Sequence, residues 1–598
     1  MGMGATDTCG RVMASFGAVG AVQPEFEPAA DVPNAGVLAA LPALVSCGLL
    51  GQSEKYFQLP PGYYGLPSIF VRLAFLALAR VKSLEGLRYC APGEWGKGLG
   101  LDRVPEVRTL REKLRVLANT GQPEQWSAAL CRQWMQADPE ATGVFYIDGH
   151  VRVYHGAQTA LPRRYVSRQR LCLRATTDYW VNTLDAQPFF VVTRAVDPGL
   201  VKVIEEEIVP RLERDAPVLV SEPDLLADPL RHRFLLAFDR EGYSPVLFAK
   251  LWKKRIACST YRRSPGPDWP AEEFAVEPVT LTNGETVEMV LAERGVYQER
   301  AALWVREIRR RTDSGHQTAI VSTDYIRPRS QLAAPMFGRW GQENFFRYML
   351  EHYGLDRLVS YGLEPIPETT RVVNPAHRAL DASVRKRNGL LSRRRAEFAA
   401  LTLDQPLAPT PVERWEQNKA ALYQQIVQIE QAIVELKAPR KATPRHIAVN
   451  DLPAEHRFAQ LHCASKHFID TIKMVAYRAE TAMVHVLRDV LSRHDDARSL
   501  LRAIYCNEAD LLPDHQAGTL TVRLHHLANH SSDQAIRHLC GELTATETVF
   551  PETNLRLIYE LVIMSLLARP RWMKMLIPRA TQSIFEAGSE QTPGDQEV

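Results

Sequence analysis

Three acidic residues in the middle of the chain stand where carboxylates could act together. Asp148 follows an apolar, strand-like run, Asp239 follows a second and almost continuously apolar run, and Glu343 lies in a segment with helical periodicity. Carboxylates that converge repel one another unless a cation neutralises them, and Mg²⁺ prefers oxygen ligands of this kind. Two such ions ~3.5–4 Å apart stabilise the attacking and leaving oxygens of a phosphodiester, so phosphoryl transfer is the chemistry indicated.

Each of these carboxylates also has an ordinary structural interpretation. Asp148 is followed by glycine and is typical of a turn, and Asp239 is typical of a strand end or a helix entry. Glu343 is spaced for an ion pair with Arg339 or Arg347 on the same helix. Only the joint occurrence of the three favours a chemical role.

The elements around the carboxylates predict an α/β, RNase H-like catalytic core with a mixed sheet over residues 141–370. A β-hairpin is expected first, Val144–Asp148 and Val151–His155, with its turn at Asp148-Gly149-His150. The elements expected next are strands at 170–181, 188–194, 233–239 and 255–262, helices at 198–215 and 244–254, a β-rich insertion at 264–300, strands at 302–311 and 317–322, and a helix at 332–353. This order places the end of the first strand beside the end of the buried strand at 233–239, at the centre of the sheet.

The flanking regions read as helical. We expect a flexible arm at 1–35, a helical DNA-binding domain at 36–140 and a helical C-terminal region at 375–580, with an antiparallel hairpin at 377–438 and a disordered tail at 587–598. Within the N-terminal domain, a short helix and a basic helix around 104–118 are compatible with a helix-turn-helix DNA reader. A plain helical bundle with a solvated basic face fits them equally well.

Composition places the chain among globular proteins with several domains. Its 598 residues are 45% hydrophobic and 24% charged, which excludes a collagenous, wholly disordered or membrane-embedded chain. No signal peptide or membrane span is expected, and the nine scattered cysteines favour a reducing compartment.

The net charge of only +3 conceals basic clusters around the proposed site. A DNA duplex needs such local positive charge beside acidic metal ligands. The residues predicted to contact DNA are Arg163, Arg164, Lys253, Lys254, Arg309, Arg310, Arg311 and Arg339.

Three segments resemble, in the same order, the carboxylate motifs of DDE transposases from bacterial insertion sequences. They are Phe145-Tyr-Ile-Asp148-Gly-His, Leu236-Ala-Phe-Asp239-Arg and Arg339-Trp-Gly-Gln-Glu343-Asn-Phe-Phe. The insertion between Asp239 and Glu343 is similar to the β-rich insertion of the branch that contains hairpin-forming cut-and-paste enzymes. The resemblance covers about residues 140–360, and 37–136 more loosely.

The resemblance implies metal-dependent cleavage at transposon ends followed by strand transfer into target DNA. Asp148, Asp239 and Glu343 would be catalytic and would hold Mg²⁺, or Mn²⁺ in its place, as two ions; Arg339 would orient Glu343 or contact a phosphate. The implied partners are double-stranded DNA and a second copy of the chain, in the nucleoid of a bacterial cytoplasm. Two alternatives stay open: a catalytically silent DNA-binding derivative, and a metal-dependent nuclease without strand transfer.

Overall fold

The computed structural model describes residues 5–562, apart from 120–121, 156–160, 167–168, 195, 282–283, 339, 358–362, 365, 369, 403–408, 462, 492, 494–495 and 528–529. At 119, 165, 340–343, 363–364, 409, 411, 455 and 461 only the backbone is described. The chain divides into two compact units. One unit joins 1–117 to 472–598, and the other consists of 118–471.

The N-terminal part of the first unit is mainly helical. Its elements are α1 (Thr8–Ser15), β1 (Ala29–Val32), α2 (Leu41–Ser46), α3 (Ser53–Tyr56), α4 (Leu66–Leu78), α5 (Pro92–Lys97) and α6 (Val107–Asn119). The expectation of a flexible arm at 1–35 is wrong for the part that the structure describes. The Asp7 carboxylate caps α1 by accepting a hydrogen bond from the Gly10 backbone nitrogen (2.8 Å), and β1 is a strand of a sheet.

In the residues that the structure describes, the second unit is built on a mixed sheet of ten strands. The elements in its first half are α7 (Pro123–Ala137), β2 (Val144–Val153), β3 (Arg163–Val166), β4 (Leu171–Asn182), β5 (Pro188–Arg194), α8 (Leu200–Val203), α9 (Val209–Asp215), α10 (Glu222–Ala227), β6 (Leu235–Phe238), α11 (Pro245–Lys253) and β7 (Ala257–Tyr261). A π-helical segment, Ile204–Ile208, joins α8 to α9. Strand β4 pairs with β5 and β2, and β2, β6 and β7 follow in parallel, which is the central order expected of an RNase H-like core.

The predicted hairpin at Asp148-Gly149-His150 is wrong. Strand β2 runs without interruption from Val144 to Val153, and its antiparallel partner is β4, not a strand at 151–155. Gly149 suits this position because it lacks a Cβ. An added Cβ would lie only 3.2 Å from the ring of Tyr179 on β4. An Asp-Gly pair therefore marks close packing against a neighbouring strand here, and not a turn.

The second half of this unit extends the sheet and then becomes helical. Its elements are β8 (Ala275–Thr280), β9 (Thr286–Gln298), β10 (Leu303–Arg311), β11 (Gln317–Ser322), α12 (Arg329–Phe337), α13 (Trp340–His352), β12 (Leu363–Glu364), β13 (Arg371–Val373), α14 (Pro375–Ala400), α15 (Pro409–Ala442), β14 (His446–Ala448) and β15 (Gln460–Leu461). The insertion strands β8 and β9 continue the main sheet through β10 and β11. The helix expected at 332–353 is two helices, and Gly338 caps the end of the first. A side chain does not fit there, because an added Cβ would lie 2.6 Å from Leu281 and 2.8 Å from the Ala334 carbonyl oxygen.

Helices α14 and α15 form the expected antiparallel hairpin. Arg395 pairs with Glu430 (2.5 Å) near one end, and Arg440 pairs with Asp381 (3.1 Å) near the other. These cross-connections fix the register of the two long helices.

The C-terminal part of the chain is only partly helical. Helix α16 (Cys463–Arg488) precedes α17 (Ala497–Cys506), β16 (Ala509–Asp514), β17 (Thr519–Leu524), α18 (His530–Ala545) and β18 (Arg556–Leu561). The prediction of a helical C-terminal region over 375–580 is wrong at 556–561, because these residues alternate between exposed or half-buried and buried positions, the period of a strand. Strands β1, β16, β17 and β18 form one sheet, which joins the N-terminal part to the C-terminal part.

Residues 563–598, including the tail predicted at 587–598, lie outside the described residues. In the part of the chain that is described, none of the helices combines the length and apolar character needed to cross a bilayer.

Candidate active site and nucleic-acid interface

Asp148 and Asp239 come directly after the last paired residues of two parallel strands. Strands β2 and β6 are in register up to Ile147 and Phe238. The next residue on each strand is an aspartate, and neighbouring strands lie ~4.8 Å apart. Strand β6 ends there, whereas β2 continues against β4 alone, so the two half-buried carboxylates stand where the sheet opens at its centre.

Each aspartate is oriented by the backbone that follows it. Asp148 accepts a hydrogen bond from the Gly149 nitrogen (2.8 Å), and Asp239 accepts one from the Arg240 nitrogen (2.7 Å). The Thr260 hydroxyl also donates to the Asp239 carbonyl oxygen (3.0 Å). Strand ends and their hydrogen bonds therefore hold both carboxylates in place.

Glu241 adds a carboxylate that the sequence reasoning missed. Burial of its carboxyl group raises the pKa of Glu241, the negative charge of Asp239 raises it further, and Arg164 acts in the opposite direction. The electrostatic effect of Asp239 on Glu241 shows that negative charge accumulates at this edge of the sheet. The signal available in the sequence was the spacing Asp-x-Glu after a buried strand.

Helix α13, which carries Glu343, covers the sheet face on which Asp148 lies. Trp180 is the cross-strand partner of Asp148, so the two share a face, and its ring contacts Phe345 of α13 at 5.6 Å. The preceding helix packs on the same face, where Leu332 and Met336 join the cluster around Tyr146. The side chain of Glu343 is not described, but its backbone position is two residues before Phe345.

His150 fixes the same helix a second time. It lies two residues after Asp148, on the same face of β2, and its ring stacks on that of Phe346 with centroids 5.5 Å apart. Its Nε2 atom is also hydrogen-bonded to the carboxylate of Asp356. Position 343 is one helical turn before Phe346, so this stack holds the helix face that carries Glu343 close to Asp148.

A basic groove, defined here by a cavity of ≈ 1240 Å³, lies in the same unit as the carboxylates. Eight basic side chains and a single carboxylate, Asp197, line it. The eight are Arg163, Arg164, Arg174, Lys202, Arg371, Arg378, Arg445 and Arg457. Arg164 links the groove to the site, because the charges of Glu241 and Arg378 both affect its pKa, which burial lowers.

The predicted DNA-contacting residues are divided by the structure. Arg163 and Arg164 lie in the basic groove, and Arg310 and Arg311 are half-exposed at the end of β10. Arg339 is outside the described residues.

Lys253 and Lys254 lie at the opposite edge of the sheet, because α11 returns the chain to the start of β7. The prediction that Arg309 contacts DNA is wrong. Its side chain is buried and donates hydrogen bonds to Glu307 and to the Pro265 and Pro267 carbonyl oxygens, so it is inaccessible to DNA.

A mixed group of possible metal ligands lies apart from this site, in the first unit. Ligand atoms of Asp31, Asp510 and His525 lie within 4.8 Å of one another. The Asp510 Oδ1 atom accepts a hydrogen bond from the Asp31 nitrogen (3.0 Å) and is 2.9 Å from His525 Nε2. These contacts tie β1 to β16 and give the group a structural role.

Comparison with known proteins adds a family to this geometry. Residues 2–563 match a family described as "Transposase protein", whereas no curated protein matches the chain. A solved structure titled "Cryo-EM structure of piggyBac transposase synaptic complex with hairpin DNA" is 10% identical over 75% of this chain and 76% of that chain. Its TM-score is 0.26, which is too low to establish a shared fold. Because the family match spans almost the whole sequence, the chain belongs to this transposase family.

Proposed function

We propose that the protein is a DDE-type transposase that cleaves DNA at transposon ends and joins the freed 3′ end to target DNA. Asp148, Asp239 and Glu343 are its catalytic carboxylates. The observation that carries the proposal is the register of β2 and β6, which brings Asp148 and Asp239 together beneath the helix that bears Glu343.

The carboxylates fit a divalent cation by their chemistry. Oxygen ligands suit Mg²⁺ or Mn²⁺, and an ionised carboxylate accepts at several lone pairs, so these side chains are of the type that such a cation binds. Burial raises the pKa of Glu241 and the charge of Asp239 raises it further, and a cation would offset that like-charge repulsion. Two bound cations would supply Lewis-acid stabilisation to the oxygens of a reacting phosphodiester.

The remaining residues position the substrate and the helix. The His150–Phe346 stack and the Trp180–Phe345 contact hold α13 on the sheet, so that the backbone of the helix that bears the third carboxylate is fixed in place. The basic groove binds phosphates of double-stranded DNA, and the charge of Glu241 acts on Arg164 in the groove wall. Synapsis of two transposon ends calls for two copies of the chain, and we expect a homodimer in the active complex.

The test uses the full chain and a duplex with the terminal sequence of its own element. Asp148→Asn, Asp239→Asn and Glu343→Gln are each assayed for Mg²⁺-dependent strand cleavage, with Glu351→Gln on the same helix as the matched control. We expect the three variants to lose cleavage by at least ~10³-fold while they keep their affinity for the duplex, and Glu351→Gln to behave as the wild type. Cleavage retained in all three variants would remove the assignment.

A further inference from the structure

Arg72 on α4 is a buried cation with no acidic partner. Its side chain is completely buried, and among the described residues no acceptor bonds to its Nε, Nη1 or Nη2 atoms. The guanidinium lies 4.0 Å from the centroid of the Trp95 ring, which compensates only part of the lost hydration. Burial lowers the pKa of Arg72 to about 9, so the group is still cationic at neutral pH.

A cavity of ≈ 760 Å³ in the first unit includes Arg72 in its lining. It lies between α4, the segment around 87–92 and helix α6. Its charged lining consists of five arginines and two glutamates, and its walls include Leu87, Val104 and Val107. The excess of positive charge and the unpaired Arg72 guanidinium both favour an anion as the ligand of this cavity.

The arginines at the mouth leave positive charge available. Arg111 pairs with Glu85, which also pairs with Arg88 (3.1 Å), so one carboxylate serves two cations. Arg115 follows Arg111 by one helical turn, is exposed, and has no ion-pair partner among the described residues.

We propose that this cavity binds a phosphate group, with Arg72 at its base and Arg111 and Arg115 at its mouth. Guanidinium groups bind phosphate through paired N–H donors, and a desolvated, unpaired Arg72 strengthens that contact. The phosphate belongs either to a nucleic-acid backbone or to a small phosphorylated molecule. The inference does not depend on the carboxylate site, because it concerns binding in a different unit and is measured without cleavage.

The decisive variant is Arg72→Met, which keeps the length of the side chain and removes its charge. Because replacing an unpaired buried charge by an apolar group does not break a native pair, we expect its Tm without ligand to equal or exceed that of the wild type. Arg80→Met is the matched control, since the Arg80 side chain is only 9% exposed but pairs with Glu480 (2.5 Å), and its Tm should fall. Arg115→Ala tests the mouth at an exposed position that does not threaten folding.

Binding of inorganic phosphate to the full chain is measured by titration calorimetry at constant ionic strength, set with sodium chloride. We expect Arg72→Met and Arg115→Ala to raise the Kd at least ~10-fold, the loss of a charge-assisted hydrogen bond, and Arg80→Met to leave it unchanged. No phosphate binding by the wild type, or equal binding by Arg72→Met, overturns the proposal.

Two competitors identify the source of the phosphate. Displacement by a short random-sequence duplex, together with weaker duplex binding by Arg72→Met, assigns the site to a nucleic-acid backbone. Displacement by adenosine monophosphate but not by the duplex assigns it to a small phosphorylated molecule. Both results support a phosphate site.

Discussion

The ring of His150 lies parallel to that of Phe346 within 21°, with their centroids 5.5 Å apart. His150 is two residues after Asp148 on β2, and Phe346 is three residues after Glu343 on α13. One aromatic contact therefore sets the distance between the strand and the helix that carry two of the three proposed catalytic carboxylates.

Replacing His150 tests whether this contact positions the helix. In His150→Ala, the stack and the hydrogen bond to Asp356 are lost, and we expect a stability loss of ~1–3 kcal/mol. A displaced helix should reduce single-turnover cleavage by up to ~10²-fold, with duplex affinity unchanged in a mobility-shift assay. His150→Phe retains the ring and should restore most of the rate; failure to do so would contradict a role through stacking.

Divalent cations should stabilise the wild type through the carboxylates. An ion at ~10–100 times its Kd raises the free energy of unfolding by about 1.4–2.7 kcal/mol per site. Asp239→Asn should be at least as stable as the wild type in chelator, because one like charge is removed, and should lose most of the Mg²⁺-dependent gain. Thermal unfolding with and without Mg²⁺ measures both effects, with Glu351→Gln as the control; an undiminished gain in Asp239→Asn would argue against Asp239 as a ligand.

Much of the site's framework could be predicted from local sequence patterns. The buried run before Asp239 indicated a central strand, and the order of elements predicted that the two aspartates are neighbours, as the register of β2 and β6 confirms. The uninterrupted strand through Gly149 could not be predicted, because it depends on nonlocal pairing with β4, where Gly149 lies opposite Tyr179. The parallel pairing of β18 with β17, 37 residues earlier, is equally nonlocal.

Charge clusters in the sequence were a weaker guide to the DNA-binding surface, because they do not show which side chains point towards solvent. Arg309 and Arg310 are adjacent, yet one is buried against Glu307 and the other is half-exposed. The basic groove combines residues from 163 to 457, and no sequence window contains it.

Substitutions in the basic groove should weaken DNA binding, whereas a substitution at the end of α11 should not. Arg378→Ala and Arg163→Ala should each weaken duplex binding and reduce the slope of log K against log[salt] by ~1, the effect of one lost phosphate contact. Lys254→Ala, which removes a surface pair with Glu213 (2.8 Å) at the other edge of the sheet, should change neither quantity. Equal losses in all three variants would show that the groove is not the binding surface.

DNA binding in the groove should be linked to protonation of His446. Burial and the positive charges of Arg445 and Arg371 lower the pKa of His446 below its usual 6.5. A phosphate bound in the groove, which His446 also lines, offsets those charges and raises the pKa again, so binding takes up a proton and affinity increases as the pH falls. His446→Gln should flatten this dependence, measured as duplex Kd between about pH 5.5 and 7.5, the range around the usual pKa of a histidine; an unchanged profile would exclude His446 as its source.

The buried pair Arg152–Asp178 beneath the same sheet face should determine the acid stability of the second unit. Burial alone raises the pKa of Asp178, but Arg152 and Lys466 more than offset this and lower it to about 2. Because the folded-state pKa lies below the usual 3.8, this stabilisation is present above pH ~4 and is lost as pH falls towards 2. The wild type should therefore lose stability over that interval more steeply than a variant without the pair.

In the wild type, the Arg152 guanidinium donates hydrogen bonds to both carboxylate oxygens of Asp178. Asp178→Leu leaves this guanidinium buried without a carboxylate and should lower the free energy of unfolding by ~3–5 kcal/mol. The double variant Arg152→Met with Asp178→Leu removes both charges and should recover most of that loss. Chemical denaturation at pH 7 and at pH 3 measures all three proteins. If the double variant is no more stable than Asp178→Leu, the cost arises from lost packing and hydrogen bonds such as that from Thr193 (2.8 Å), and not from an unpaired charge.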